Sequence, residues 1–514
     1  MDHDDHGPAV VTRDGSVRGT VEAGVHVFRG IPFARPPLGA LRFAAPEPVA
    51  PWEGVRPAVT FGPLPPQTPT GFWVGDTVPE IADEAGPSTG TDDRGWLTVN
   101  VWTPDLGGAR RPVLVWIYGG GYQEGRADDP MYDGTRLAAE NGAVIVTMNY
   151  RLGAEGFALF TGAPANRGLL DQVAALTWVR DNIEAFGGNP DRVTVFGESA
   201  GGGSIAALLA MPRARGLFQR AIVQSMPGRF YSRELAEGLA SAMAEQAGAR
   251  PNAAALAHVT PDALCAATAA VAQQMARDPR RWGIGISRPV SLVVDGEILP
   301  RSPWEALAAG EAREVTLLGG HNRNEWLTMM LATSRAGDLT ETDVEPYLRA
   351  LTPDGGTAYR EAFPDAGPSR LYETLMTDWS FRVPIMRLLD AHVAGGGTAY
   401  AYELAWRTSV NGKPVDGSPH GADLPLVFGN FGAGPFGGEP TAAELALSTR
   451  MRTAWTSFAE RGEPGWPAYD PARRISKVFD LEDSVGPYTG EVNLALWADT
   501  TLAAVPAPGG RTLG

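Results

Sequence analysis

Two serines stand in the pattern G-x-S-x-G, which can hold a serine as a nucleophile. Residues 197–201 read GESAG, and residues 86–90 read GPSTG. The chain has 63 glycines among 514 residues, so a chance match to so short a pattern is expected. The residues around each serine, and the presence of chemical partners elsewhere in the chain, must therefore separate a site from a coincidence.

The surroundings of the two serines differ. RVTVF precedes GESAG and the Ala-rich SAGGGSIAALLAMP follows it, which predicts a strand, a sharp turn and a helix around Ser199. Gly197 and Gly201 leave room for such a turn, and a helix N-terminus favours negative charge nearby. No strand pattern precedes Ser88, and TGTDDRG after it cannot begin an apolar helix. We predict that Ser199 is a nucleophile and that Ser88 is a loop residue.

A serine nucleophile needs a base, and the base needs an orienting acid. In a strand–turn–helix site of this kind the order along the chain is serine, acid, histidine, which leaves His392 and His420 among the seven histidines. His392 lies in LLDAHVAGGG, which is typical of a helix end. His420 lies in DGSPHGADLPLVFG, a loop after the predicted strand TAYAYELAW, where catalytic residues are common. We predict that His420 is the base.

The acid is less well defined. Asp295 and Glu325 each follow an apparent strand, in SLVVDGEILP and VTLLGGHNRNEW. Spacing does not separate them, and Asp295 followed by Gly296 is also an ordinary turn signal. His321 is predicted on the same loop as Glu325, where it could support the acid. Both carboxylates stay candidates on this reasoning.

A glycine-rich stretch supplies the remaining requirement of acyl chemistry. YGGG at 118–121 ends the predicted strand PVLVWI. Backbone N–H groups of successive glycines can approach a substrate oxygen and stabilise the negative charge that develops on it. We predict that this stretch forms an oxyanion hole.

The segments that hold these residues alternate between strands and helices. β-Rich runs are LTVNVWT, PVLVWIYGG, AVIVTMNYR, RVTVFG, FQRAIVQS, VTLLGG and TAYAYELAW. GLLDQVAALTWVRDNIEAFG has helical spacing, with Leu169, Val173, Leu176, Val179 and Ile183 in one apolar stripe. Nearly continuous apolar strands that alternate with helices predict a buried, mostly parallel sheet flanked by helices.

The rest of the chain is predicted to surround this sheet. VRGTV and VHVFRGI predict a small N-terminal sheet, and residues 63–95 predict a long polar loop. Ala-rich helical segments between about 230 and 390 predict an insertion or cap region. We expect a single catalytic domain over 1–514, with flexible ends at about 1–14 and 500–514.

Composition limits the class of partner. The formal net charge is −16, with Lys+Arg 43 against Asp+Glu 59, which disfavours nucleic acid and anionic membranes. The single cysteine, Cys265 in PDALCAATAA, excludes an intrachain disulfide and predicts a small buried residue on a helix. No apolar run approaches a membrane span, and the acidic MDHDDHGPAVV is unlike a signal peptide. We expect a soluble cytoplasmic protein.

With these pieces assembled, the chain resembles the type-B carboxylesterase family, which includes the cholinesterases. The resemblance runs from about residue 15 to about residue 490. It includes VFRGIPFARPPLGALRF, LTVNVWTP, PVLVWIYGGGY, VTMNYRLGAEGF, DQVAALTWVRDNIEAFGGNPDRVTVFGESAGG and HGADLPLVFG. Long matches in a fixed order are far more specific than a pentapeptide. The resemblance implies an α/β-hydrolase fold, with helical insertions over an active-site gorge.

The resemblance also implies a role for each candidate. Ser199 would be the nucleophile, and His420, in the HGADLP motif, would be the histidine of the triad. Glu325 would be the acid, which makes Asp295 a turn residue. The oxyanion hole would consist of three backbone N–H groups, those of Gly120, Gly121 and Ala200.

The sequence departs from the family pattern at several positions. Most esterases of the family have histidine at the position of Tyr118, although cholinesterases also have tyrosine. Asn324 and Trp326 flank Glu325 where Asp and Gly are usual, so a bulky side chain is expected near the acid. Trp96 stands where secreted relatives commonly have a disulfide cysteine. None of these changes removes a catalytic group.

The sequence thus predicts a serine carboxylic-ester hydrolase that forms an acyl-enzyme on Ser199. No metal or organic cofactor is implied, the partner is a small-molecule ester, and a monomer or a homodimer is equally compatible. The same triad could also hydrolyse an amide, carbamate or lactone, or transfer an acyl group to an alcohol. A further alternative is a binding protein of the same fold without activity; such relatives typically lack a triad member.

Overall fold

The computed structural model describes residues 7–67, 95–286, 288–333, 337, 339–500 and 502–506. Ser88 lies outside the described residues, as do the aromatic residues Phe72 and Trp73 and most of the loop predicted over 63–95.

Eleven of the strands form one central sheet. The strands are β1 Ala9–Val11, β2 Ser16–Arg18, β3 Thr20–Glu22, β4 Val25–Pro32, β5 Val55–Pro57, β6 Thr98–Thr103, β7 Arg111–Ile117, β8 Val144–Met148, β9 Gly188–Glu198, β10 Arg220–Gln224, β11 Tyr231–Ser232, β12 Val293–Val294, β13 Thr316–Asn322, β14 Ala399–Leu404, β15 Ser409–Val410, β16 Lys413–Pro414, β17 Ile475–Phe479 and β18 Ser484–Pro487. The order in the sheet is β18-β17-β14-β13-β10-β9-β7-β8-β6-β4-β3. The strands from β17 to β8 in this order are parallel, and the outer pairs are antiparallel. The prediction of a mostly parallel sheet is confirmed.

Helices flank this sheet, with α4 packed on β7, β9 and β10 and α16 packed on β7 and β9. The helices are α1 Thr135–Asn141, α2 Gly153–Phe157, α3 Arg167–Asn182, α4 Ala200–Ala210, α5 Arg233–Gln246, α6 Ala253–Leu256, α7 Pro261–Arg277, α8 Pro279–Trp282, α9 Pro303–Ala308, α10 Leu327–Ala332, α11 Glu341–Leu351, α12 Thr357–Ala362, α13 Pro368–Thr377, α14 Val383–Ala394, α15 Leu424–Phe428, α16 Ala442–Arg461 and α17 Glu491–Ala495. A π-helical turn, Asp378–Arg382, leads into α14.

The buried parts of the central strands are apolar because helices cover both faces of the sheet. In β7 the five residues from Val113 to Ile117 are all fully buried. A strand in such a setting has no solvent face and therefore shows no polar alternation. Such strands therefore appear in the sequence as continuous apolar runs, which is how they could be predicted.

The N-terminal strands divide between two sheets, of which one is the predicted small N-terminal sheet. β1, β2 and β5 form a three-stranded sheet, whereas β3 and β4 extend the central one. β4 pairs with β6, with Phe28 opposite Val101. This pairing joins segments that are distant in the sequence, so the local pattern around β4 could not reveal it.

Near both ends of the described chain, backbone groups pair with other segments. Val10 pairs with Val17 across β1 and β2. Near the other end, the Val505 N–H donates a 2.6 Å hydrogen bond to the carbonyl oxygen of Phe230. The flexibility of about 1–14 and 500–514 stays a prediction.

The segment from about 230 to 390 is mainly helical and contains α5 to α14, but it also returns to the sheet. β13, predicted from VTLLGG, pairs with both β10 and β14. The polypeptide after β13 therefore begins at the same sheet edge as the turn that follows β9. Cys265 lies on α7 as predicted, although it is half-buried and not fully buried.

A buried ion pair anchors α3 beneath the sheet edge. Asp171 accepts hydrogen bonds from the Arg151 side chain at 2.7 and 2.8 Å and from the Arg151 N–H at 3.0 Å. Both side chains are fully buried. The remaining Arg151 nitrogen donates to the carbonyl oxygens of Arg42 and Ala44. The positive charge of the Arg151 guanidinium is thus balanced only while Asp171 keeps its negative charge.

We expect Asp171→Asn to lower the free energy of unfolding by about 3–5 kcal/mol, because it leaves the buried charge of Arg151 without its counterion. Chemical denaturation followed by tryptophan fluorescence measures this loss. The control is Glu237→Gln on α5, which removes an exposed ion pair with Arg233 and should change stability by about 0.5 kcal/mol or less. Equal effects of the two variants would contradict the expectation.

Candidate active site

A strained turn at Ser199 joins β9 to α4. β9 ends at Glu198 and α4 begins at Ala200, so the strand and helix predicted around GESAG are both present. Ser199 has φ 56° and ψ −124°. Residues other than glycine rarely adopt these backbone angles, and such backbone strain costs about 1–3 kcal/mol. Strain of this kind persists only where the surrounding structure maintains it, which is common at functional sites.

The two glycines of GESAG are required by close packing against β7. A Cβ atom on Gly197 would lie 2.6 Å from the carbonyl oxygen of Ile117, and one on Gly201 would overlap the same oxygen. Neither backbone segment could move away without separating α4 from the sheet. The sequence pattern therefore has a steric cause at Ser199.

The backbone around Ser199 is fixed by hydrogen bonds on both sides. Its N–H donates to the carbonyl oxygen of Gln224 at 3.0 Å, and its carbonyl oxygen accepts from Gly203 N–H at 2.9 Å. Ser199 is thus the N-cap residue of α4, where the helix dipole favours negative charge. The side chain is nearly buried, with 8% of the residue exposed.

His420 forms a hydrogen bond with Glu325 in the interior of the protein. His420 Nδ1 lies 2.6 Å from Glu325 Oε2, and both side chains are almost completely buried. The other carboxylate oxygen of Glu325 accepts a 2.6 Å hydrogen bond from the N–H of Asn322, at the end of β13. The His420 carbonyl oxygen accepts from the Thr328 hydroxyl at 2.9 Å. Glu325 and His420 are thus held in one orientation relative to each other.

The other candidates from the sequence have different partners. The carboxylate of Asp295 accepts hydrogen bonds from the N–H groups of Ile298 and Leu299, so Asp295 is a turn residue. His392 Nε2 lies 2.9 Å from the carbonyl oxygen of Val315. The Asp295 carboxylate and His392 Nε2 are thus engaged by backbone groups.

His321 lies on β13 and not on the loop that carries Glu325. It is fully buried, and its Nε2 is 2.6 Å from the hydroxyl of Tyr488. The predicted loop position is therefore wrong, because β13 extends to Asn322.

Sequence reasoning missed Glu198, which lies beside the second nitrogen of His420. Glu198 Oε1 is 3.1 Å from His420 Nε2, and both residues are buried. The ring of Phe381 covers the imidazole, with 4.6 Å between ring centroids. A signal was present in the sequence, since Glu198 is a charged residue at the end of the apolar strand VTVFG.

Three buried carboxyl groups set the protonation of His420. Burial raises the pKa of Asp423 to about 6, although the 2.6 Å hydrogen bond from the Gln224 amide acts to lower it. Burial also raises the pKa of Glu198. Burial lowers the pKa of His420, but the charges of Glu198 and Glu325 outweigh this effect and raise it above the usual value. His420 therefore becomes neutral only at a higher pH than an isolated histidine.

We expect Glu198→Gln to move the acidic limb of the kcat/KM profile to lower pH by about one unit or more, if neutral His420 is the active form. The substitution removes a negative charge that raises the pKa of His420. The neutral imidazole then persists to lower pH, and activity is retained there. A pH series with a neutral ester measures the shift.

Glu305→Gln is the control for this substitution. Glu305 belongs to the capping box of α9, which glutamine also satisfies. Its profile should coincide with that of the wild type. A Glu198→Gln profile that coincides with the wild type as well would contradict the account of His420.

The glycine loop after β7 lies directly against the turn at Ser199. A Cβ atom on Gly119 would lie 2.9 Å from the Cβ atom of Ser199. Gly120 and Gly121 have φ values of 102° and 61°, which favour glycine. The Gly120 carbonyl oxygen accepts from the N–H of Glu124 at 3.2 Å, which closes the loop. The predicted oxyanion-hole residues thus come together with the predicted nucleophile.

The residues that depart from the family pattern fit around this site. Tyr118 is buried and stacks on Tyr150, with 4.5 Å between ring centroids. Trp326 is half-buried, and its backbone N–H donates to the Thr377 hydroxyl at 3.0 Å. Its ring lies 6.4 Å from that of Phe381 and does not displace Glu325 from His420. The hydrogen bond between Glu325 and His420 thus forms with the bulky Trp326 next to the acid in the sequence.

A parallel sheet with a strained serine turn at its carboxyl edge defines the α/β-hydrolase class of fold. The sequence profile of the carboxylesterase family matches residues 6–477, and the chain belongs to that family.

Individual relatives agree with this assignment. Para-nitrobenzyl esterase of Bacillus subtilis is 37% identical over 492 residues, which cover 93% of this chain and 95% of the relative. Cocaine esterase of Homo sapiens is 34% identical over 543 residues, covering 96% and 91%. A solved structure of a PNB esterase superposes with a TM-score of 0.82 at 34% identity, covering 95% of this chain and 99% of the other. The chain is a carboxylic-ester hydrolase of this family.

Among the described residues, no helix has both the length and the apolar character to cross a membrane.

Proposed function

We propose that the chain hydrolyses carboxylic esters through a Ser199–His420–Glu325 triad. The observation that carries the proposal is the buried 2.6 Å hydrogen bond between Glu325 Oε2 and His420 Nδ1. A carboxylate at Nδ1 favours the tautomer with the proton on that nitrogen, which leaves Nε2 as the proton acceptor. The strained turn at Ser199, at the same sheet edge, supports the role of the serine as nucleophile.

In the first half of the reaction, Ser199 Oγ attacks the carbonyl carbon of the ester while His420 Nε2 takes the hydroxyl proton. The carbonyl oxygen becomes an oxyanion, held by the N–H groups of Gly120, Gly121 and Ala200. Glu325 stabilises the imidazolium that forms. The bond to the alcohol oxygen then breaks, and His420 returns its proton to the departing alcohol.

In the second half, water attacks the acyl-enzyme. His420 Nε2 takes a proton from the water, a second oxyanion forms in the same hole, and the bond to Ser199 Oγ breaks. The proton returns to the serine, and the carboxylic acid leaves. The substrate is a small-molecule ester.

Partition of a shared intermediate tests this scheme. We expect phenyl, p-nitrophenyl and ethyl acetate, hydrolysed in the presence of methanol, to give one ratio of methyl acetate to acetate. One acyl-enzyme would be the source of both products whichever alcohol had left. A ratio that changes with the leaving group would contradict an acyl-enzyme, and a lack of hydrolysis of every ester would contradict the proposed function.

A further inference from the structure

Two arginines lie beside the glycine loop, on the side of Gly121. A Cβ atom built on Gly121 would lie 2.9 Å from the guanidinium carbon of Arg288 and 3.0 Å from its Nε. The guanidinium group is therefore in van der Waals contact with the loop. Arg229 lies in a neighbouring segment, since the hydroxyl of Ser291 donates a 2.7 Å hydrogen bond to the Arg229 carbonyl oxygen. The charge of Arg288 lowers the pKa of Arg229, after the larger effect of burial.

Both arginines are tied into the fold by specific contacts. Arg229 Nη1 donates to the carbonyl oxygen of Gly285 at 2.8 Å, and its guanidinium lies 5.3 Å from the ring centroid of Trp379. The Tyr231 hydroxyl donates to the carbonyl oxygen of Arg288 at 2.6 Å. Two cations on neighbouring segments are thus held in place, with Arg288 against the glycine loop.

The charge of this cluster is positive. Burial lowers the pKa of Arg229 to about 10 and lowers that of Arg288, yet both stay charged at neutral pH. Glu124 is the carboxylate that acts on Arg288. Burial raises the pKa of Tyr122 and Tyr231, so both phenols are neutral. Arg229 and Arg288 are cations in a chain whose net charge is −16.

Both arginine residues are half-buried, and this matters for what the cluster can bind. Burial lowers the pKa of each guanidinium, which indicates that part of each side chain is removed from water. They nevertheless keep accessible surface and are not enclosed in packed core. A partly accessible cation beside the glycine loop can meet a ligand that is bound there.

The position relative to His420 indicates which half of an ester would meet the arginines. In the proposed reaction His420 protonates the departing alcohol, so the alcohol lies on the His420 side of the reacting carbon. The oxyanion occupies the glycine loop in this scheme, and Arg288 lies against Gly121 of that loop. The acyl chain must extend in another direction, past the glycine loop that holds the oxyanion.

We propose that Arg229 and Arg288 form a subsite for a carboxylate at the far end of the acyl group, so that half-esters of dicarboxylic acids are the preferred substrate class. The inference rests on the proposed function and names its substrate class. Guanidinium groups bind carboxylates through charge-assisted and often paired hydrogen bonds, which suits this pair. Glu124 would weaken the subsite and tune its affinity.

Matched substrates test the inference without any variant. Monoethyl glutarate and ethyl 5-methylhexanoate have the same shape, but the first ends in a carboxylate and the second in an uncharged isopropyl group. We expect kcat/KM to be higher for the charged ester by about tenfold or more, and the ratio to fall as salt is added. Monoethyl succinate and adipate, with their neutral counterparts, locate the best chain length.

Variants then assign the effect to the cluster. Arg288→Gln and Arg229→Gln should each lower the ratio of charged to neutral kcat/KM by about tenfold, and Arg288→Lys should restore part of it. Glu124→Gln should raise the ratio, because it removes the opposing carboxylate.

The outcomes separate this inference from the proposed function. Hydrolysis that depends on Ser199 but shows no preference for any charged acyl group would overturn the subsite and leave the triad intact. A preference that appears only when the carboxylate is in the alcohol half, as in carboxymethyl pentanoate, would overturn the placement on the acyl side. Loss of all ester hydrolysis in the wild type would overturn both.

Discussion

Replacing Ser199 with alanine should lower kcat for ester hydrolysis by about 10⁴-fold or more. The hydroxyl is the only group of the proposed triad that forms a bond with the substrate, so His420 and Glu325 have nothing to activate without it. The turn itself should survive, because alanine keeps the backbone and removes one buried oxygen. Hydrolysis of p-nitrophenyl esters from acetate to laurate measures the loss over a range of acyl lengths.

The chain contains its own control for this substitution. Ser88 stands in GPSTG, which satisfies the same G-x-S-x-G pattern as GESAG. Ser88→Ala should keep the activity of the wild type on every ester of the series. If Ser88→Ala were inactive or Ser199→Ala active, the assignment of the nucleophile would be wrong.

The second large effect is expected from Glu325→Gln, which should lower kcat by about 10⁴-fold at neutral pH. Glutamine can still accept the hydrogen bond from Asn322 N–H with its oxygen. Its amide NH₂ then faces His420 Nδ1 and favours the tautomer with the proton on Nε2. That tautomer cannot take a proton from Ser199, and the negative charge that stabilises the imidazolium is also lost.

Asp295→Asn is the matched control, since Asp295 was the other candidate acid in the sequence. The Asp295 carboxylate accepts hydrogen bonds from Ile298 and Leu299, a role that the asparagine oxygen can partly keep. We expect this variant to retain catalysis and to lose some thermal stability. Retained activity in Glu325→Gln together with loss in Asp295→Asn would reverse the assignment of the acid.

The turn at Ser199 could be predicted because its determinants are local. A run of β-branched residues, two glycines and an alanine-rich helix lie within about twenty residues, and each has a steric or packing cause in the fold. The glycine loop after β7 is local in the same way. Such features are encoded by neighbouring residues and need no knowledge of the tertiary structure.

The acid could not be chosen on spacing alone because the pairing of Glu325 and His420 is a tertiary contact. These residues are 95 positions apart, and they meet because β13 and β14 are neighbours in the sheet. Family resemblance pointed to Glu325 where the pattern of residues did not. Asp295 has an equivalent local pattern, and only its actual partners separate it from Glu325.

Glu198 and the pair Arg229–Arg288 escaped prediction for a related reason. Their neighbours come from separate segments: His420 and Asp423 for Glu198, and the glycine loop for Arg288. The same limit explains β4, whose pairing with β6 joined it to the central sheet. Chemistry that depends on one element is visible in the sequence, whereas chemistry that depends on several elements is visible only in the fold.

Mass spectrometry of the protein after reaction with diethyl p-nitrophenyl phosphate tests the central claim most directly. This reagent phosphorylates an activated serine and releases p-nitrophenol. We expect a single diethylphosphoryl group on the peptide that contains Ser199, none in Ser199→Ala, and much slower labelling in Glu325→Gln. A label on a different residue, or continued ester hydrolysis by a fully labelled enzyme, would contradict Ser199 as the nucleophile.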